Sequence, residues 1–105
     1  MNAPSEIAYL RHMRDALRAI KEYTITGRSG FFASKMVQDA VVRNLEVLGE
    51  ATKALSAEVR GHAPHVPWHY FGVDIEVVWR VVEVEVEPLL LVVERLITDL
   101  GRRQE

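Results

Sequence analysis

Residues 6–24, EIAYLRHMRDALRAIKEYT, decide how this chain folds. Ile7, Leu10, Met13, Leu17, Ile20 and Thr24 recur every three or four residues, the spacing of one helical face. Arg11, Arg14, Arg18 and Lys21 form a charged stripe beside them. A helix that is apolar on one side must bury that side against something. Ser5 is placed to cap it, with the helix starting at Glu6, and Gly27 and Gly30 stop it.

Partners for that face follow along the chain. Residues 34–55 carry a second stripe of Val37, Val41, Leu45, Leu48 and Leu55. Over residues 56–72 the pattern breaks, because Gly61, Pro64, Pro67 and Gly72 forbid a continuous helix. Asp74 suits the N-cap of a third helix bearing Ile75, Val78, Trp79 and Val82. Residues 82–87, VEVEVE, alternate like a strand, but a lone strand has no partner in a helical chain. Pro88 fits the first turn of a last helix, with Leu89, Val92, Val93, Leu96 and Leu100 inward and Gly101 at its end. The expectation is one all-α domain over residues 1–105. It is an antiparallel four-helix bundle with an irregular linker between helices two and three. Leu10, Leu17, Val41, Leu48, Val78 and Leu96 are expected in its core.

Composition narrows the function classes. Hydrophobic residues at 49% and charged residues at 27% suit a folded chain rather than a disordered one. Without cysteine there is no disulfide, thiol nucleophile or Cys-ligated zinc, which fits a cytoplasmic protein. No apolar segment follows Met1–Glu6, so no signal peptide is expected, and Leu89–Val93 is too short to span a bilayer. A net charge of -2 means that any nucleic-acid contact needs a local basic patch.

The charged residues offer few metal sites. Asp39, Arg43, Glu46, Glu50 and Lys53 share a stripe, with Arg43 able to pair with Asp39 and Glu46. Glu46 and Glu50 lack the Glu-x-x-His partner of helical di-metal sites. His12 stands alone, and His62, His65 and His69 have no carboxylate or thiol beside them in the linker. Neither a metal nor a cofactor is expected. Arg60 and His65 imitate a catalytic spacing by chance, since Pro64 excludes the helix that would align them. The Arg11, Arg14, Arg18 and Lys21 stripe reads either as a solvated face or as an RNA phosphate contact.

Three segments together resemble the HEPN family, in its HepT-like toxin branch. They are Arg43-Asn44-Leu45-Glu46-Val47-Leu48-Gly49-Glu50-Ala51, Val66-Pro67-Trp68, and Tyr70-Phe71-Gly72-Val73-Asp74 running on to Trp79. The resemblance implies a HEPN-like bundle and a ribonuclease toxin with the catalytic signature R-x-x-x-x-H-x-Y. Family members carry a helical segment holding that signature between the Pro-Trp pair and the Tyr-Phe-Gly run. Here Trp68 is followed directly by His69 and Tyr70. Tyr70 matches the motif tyrosine and the arginine has no counterpart. His69 is either the catalytic histidine or the spacer after it.

The resemblance also implies chemistry and partners. The RNA 2′-OH would attack the adjacent phosphate, with the His moving protons and the Arg steadying phosphoryl charge. Tyr70 would be the AMP acceptor for a small nucleotidyltransferase antitoxin, the added anion blocking RNA. It implies tRNA as a candidate substrate and two subunits whose motifs face one cleft. The residues themselves also predict a homodimer, built with contributions from the linker and helix three, because Trp68, Tyr70 and Phe71 cluster at the break in regular structure. The alternative is a catalytically inactive dimeric module that pairs with the nucleotidyltransferase.

Overall fold

The computed structural model describes residues 3–61 and 74–103. Every regular element among them is a helix: α1 (Ala3–Tyr23), α2 (Gly27–Ala33), α3 (Lys35–Lys53), α4 (Ala57–Arg60), α5 (Ile75–Val84) and α6 (Val86–Arg103). The all-α bundle is as expected, and it is built around α1.

α1 packs along both α3 and α6. Its stripe of Ile7, Leu10, Met13, Leu17 and Ile20 is buried, with Ala16 beside it. Burying each large side chain contributes about 1.5–3 kcal/mol. Both neighbours run antiparallel to α1. Glu6, near the start of α1, meets Ser56 just past α3, and Thr52 lies against Met13. On the other side Lys21 meets Glu87 and Arg18 meets Glu94. Leu10, Leu17, Val41, Leu48 and Val78 are core residues as expected, whereas Leu96 packs only partly buried at the edge.

The boundaries bring corrections. α1 begins at Ala3, which puts Ser5 inside the helix rather than at its cap. Residues 27–30, read as a stop, belong to the short helix α2. Gly27 takes φ +79, a conformation open to glycine, and turns the chain out of α1. Gly30 is needed too, because a Cβ there would collide with the Thr26 side chain. What holds α2 is tertiary: Phe31 is wholly buried, with its ring centroid 5.2 Å from that of Trp79 on α5. Gln38 Nε2 donates to the carbonyls of Phe31 and Phe32, satisfying the end of α2.

Asp74 caps its helix as expected, and Ser34 proves to be a cap as well. The Ser34 hydroxyl accepts from Val37 N–H at 3.2 Å and starts α3. The Asp74 carboxylate accepts from Glu76 N–H at 2.9 Å and starts α5. The alternating residues 82–87 are helical apart from Glu85, so the strand pattern is a coincidence of spacing. α5 and α6 are two arms of one kinked helix, joined by Glu85 at φ -100, ψ -30. Pro88 explains the kink. It cannot donate to the Val84 carbonyl, and its ring crowds that oxygen, so regular helix fails there. α6 then continues through Gly101 to Arg103 rather than ending at the glycine.

Candidate functional site

His69 and Tyr70, with His62, His65, Trp68 and Phe71, lie outside the described residues. What is described is the framework on either side of them. On one side stands α4, started by Ser56, whose hydroxyl accepts from Val59 N–H at 3.3 Å. Ser56 is pinned in turn by Glu6, whose carboxylate is buried and accepts the Ser56 backbone N–H at 2.7 Å. Hydrogen bonding from the Ser56 side chain holds the Glu6 carboxyl below its usual pKa, against the opposing effect of burial; the Ser56 backbone N–H adds to the lowering. Nothing in the local sequence pattern marks Glu6, because its partner lies 50 residues away.

On the other side is the start of α5. Arg28 of α2 donates to Glu76 at 2.8 Å, and its guanidinium lies 4.4 Å from the centre of the Phe32 ring. Trp79 packs against Phe31 with its indole N–H buried and without a hydrogen-bond acceptor among the described residues. A groove between α3 and the start of α5 is lined by Lys35, Asp39, Arg43, Glu46 and Ile75. Its two cations are matched by two carboxylates. Lys35 pairs with Asp39 at 3.0 Å and Arg43 with Glu46 at 3.7 Å. The expected Arg43–Asp39 pair is not formed, since Asp39 turns to Lys35, one turn earlier. Glu50 pairs with Lys53. Among the described residues no three His, Cys, Asp or Glu side chains gather as a metal site would need. His12 is exposed on α1 and Arg60 is exposed at the end of α4.

The cationic stripe of α1 is divided. Arg18 pairs with Glu94 of α6 at 3.1 Å, and Lys21 pairs with Glu87. Arg14 turns to its neighbour Asp15 at 3.1 Å. Arg11 is exposed, with no ion-pair partner among the described residues. Two of the four cations therefore act within the fold, a role that the stripe alone did not reveal. No described helix is long and apolar enough to cross a membrane.

Comparison with known proteins adds the family. The model of the "Ribonuclease HepT-like" family matches residues 13–96. A Methanocaldococcus jannaschii protein named "Gamma-glutamylcyclotransferase and putative RNase" is 34% identical, aligned with 91% of this chain and 49% of its own length. The chain thus spans about half of that relative. A second protein of that organism, named "Putative RNase", is 32% identical over 91% of this chain and 87% of its own. A "Probable ribonuclease HepT" from Thermococcus cleftensis is 32% identical over 77% and 86%. No solved structure matches the chain.

The lengths of these alignments are informative. The first covers 109 positions but only 91% of the 105 residues here, about 96, which leaves about 13 positions of the relative without a counterpart. The Thermococcus cleftensis alignment covers 94 positions against 77% of this chain, about 81 residues, and again leaves about 13. This bundle, matched by the family model from the middle of α1 to the last turns of α6, belongs to the HepT-like ribonuclease family.

Proposed function

We propose that the chain is a toxin-type HepT-like ribonuclease, acting on RNA without metal, whose R-x-x-x-x-H-x-Y motif is incomplete. The observation that carries this reading is the shortfall in aligned length. About a dozen positions present in the relatives are missing here, and the resemblance departs at one junction, Trp68 to His69. We place the missing segment there, and with it the motif arginine. His69 and Tyr70 then remain as the tail of the motif, with Tyr70 the AMP acceptor for a nucleotidyltransferase antitoxin. The active unit is a cytoplasmic homodimer.

The chemistry predicts the consequence. Cleavage by 2′-OH attack needs proton transfer and stabilisation of phosphoryl charge. The second is often the larger effect, and an arginine fork supplies it. The test is cleavage of tRNA in EDTA by two proteins. One is this chain; the other carries the corresponding Thermococcus cleftensis segment between Trp68 and His69. Weak or absent cleavage by the first and robust cleavage by the second is expected, the latter lost when the restored histidine is replaced. Robust, His69-dependent cleavage by the 105-residue chain would overturn the requirement for the arginine.

The same shortfall favours a second reading, a non-catalytic module that keeps the bundle and pairs with the nucleotidyltransferase. Capture of that enzyme by a chain that does not cleave RNA is its signature.

A further inference from the structure

The cations along the α1–α6 seam have different surroundings. At one end Lys21 and Arg18 meet Glu87 and Glu94, which stand seven residues apart on α6. Followed in the same antiparallel register towards the start of α1, the seam runs out of acidic partners. Arg11 comes opposite the last turns of α6, whose seam side carries Thr98, Gly101 and Arg102, while Asp99 of the same turns lines a groove with Glu58 and Val59 on the α4 side. Arg11 and Arg102 are both exposed, and neither has an ion-pair partner among the described residues. Arg14, one turn further along α1, pairs only with its sequence neighbour Asp15 among the described residues. Gly101 faces open space, since a Cβ added there would meet nothing within 4 Å.

This contrast has an electrostatic meaning. A cation already paired across two helices offers little to a phosphate, because moving to it forfeits the existing pair. An unpaired guanidinium offers a fork of donors that matches phosphate oxygens. With a net charge of -2, attraction of a polyanion must come from such a local excess.

We propose that the open end of the seam, Arg11 and Arg102 with Arg14 beside them, holds phosphates of single-stranded RNA. Arg18 and Lys21 pin α1 to α6 and take no part. The inference rests on the RNA reading above and gives it a contact surface on α1 and α6.

The test is fluorescence anisotropy with a labelled 2′-O-methyl oligoribonucleotide, which cannot be cut by 2′-OH attack, over a series of salt concentrations. Arg11→Gln and Arg102→Gln should each weaken binding about three- to fivefold at low salt. Each should also reduce the slope of log K against log salt by about 0.7, the share of one single-strand phosphate contact. The exchange of Arg18→Glu with Glu94→Arg, which preserves the pair and the net charge, should leave affinity and slope unchanged. Binding that is unaffected in the Arg11→Gln, Arg102→Gln double variant overturns the inference and leaves the RNA reading standing. Loss of binding in the exchanged pair, with the thermal midpoint retained, overturns it as well by moving the contact to the pinned end. A parent chain that binds no RNA at the lowest salt removes both.

Discussion

The Glu6 carboxylate accepts the Ser56 backbone N–H at 2.7 Å, tying the first turns of α1 to the cap of α4. The pKa of this buried carboxyl is lowered on folding. A carboxyl whose folded pKa lies below its unfolded value adds stability above the unfolded value, 4.5, and loses it as pH falls through the folded one. Glu6→Gln should therefore cost about 1–3 kcal/mol at neutral pH. It should also flatten the stability profile below about pH 4.5. Urea titrations of both proteins across that range decide it. Parallel pH profiles would refute a stabilising ionised Glu6.

Leu48 is wholly buried on α3 among core side chains. Leu48→Ala should cost about 2–5 kcal/mol, combining lost transfer energy with the cavity left behind. Chemical denaturation measures it directly, and a change within error would mean that the core lies elsewhere.

Trp79 presents two effects that can be separated. Its ring fills space against Phe31, while its indole N–H is buried without an acceptor among the described residues. Trp79→Phe removes the unpaired donor along with some packing, so its cost should stay within about 1 kcal/mol. Trp79→Ala should cost about 3–5 kcal/mol. A large loss in Trp79→Phe would reveal an acceptor for the indole.

Gly30 lets α2 close against Thr26. Gly30→Ala, ordinarily helpful within a helix, should here destabilise the chain by about 1–3 kcal/mol through overpacking. The companion change Thr26→Ser should not rescue it, since the hydroxyl oxygen and Cβ that a new methyl would meet both remain. Thermal melts of the two variants test this.

The parts of the fold legible in the sequence were those set by local chemistry. Asp74 declared itself as a cap because it precedes a periodic apolar run, and the bond that makes a cap is short in sequence; Ser34, read only as the start of its helix, caps α3 in the same way. The helix over 27–33 was not legible. Two glycines in seven residues argue against it, and its stability comes from Phe31 meeting Trp79, a contact between distant segments. Gly101 misled in the other direction, since a glycine permits a helix end without compelling one. For the site, the α1 stripe was visible as spacing. Its division into paired and unpaired cations depends on the register of α6, which spacing does not contain. The departure at Trp68 and His69 rests on the resemblance alone, and His69 and Tyr70 lie outside the described residues.

The central position of α1 also bears on the order of assembly. Its bond from Arg18 to Glu94 closes a separation of 76 residues, whereas its contact from Met13 to Thr52 closes only 39. Longer closures cost more chain entropy and slow the search. The α1–α3 pair is thus the cheaper nucleus, and α6 docks onto a hairpin that already exists. Truncations at Leu45 should then slow folding, while truncations at Val93 should mainly hasten unfolding. A chain altered at the junction before α5 would keep its nucleus intact, because α1 and α3 both precede it.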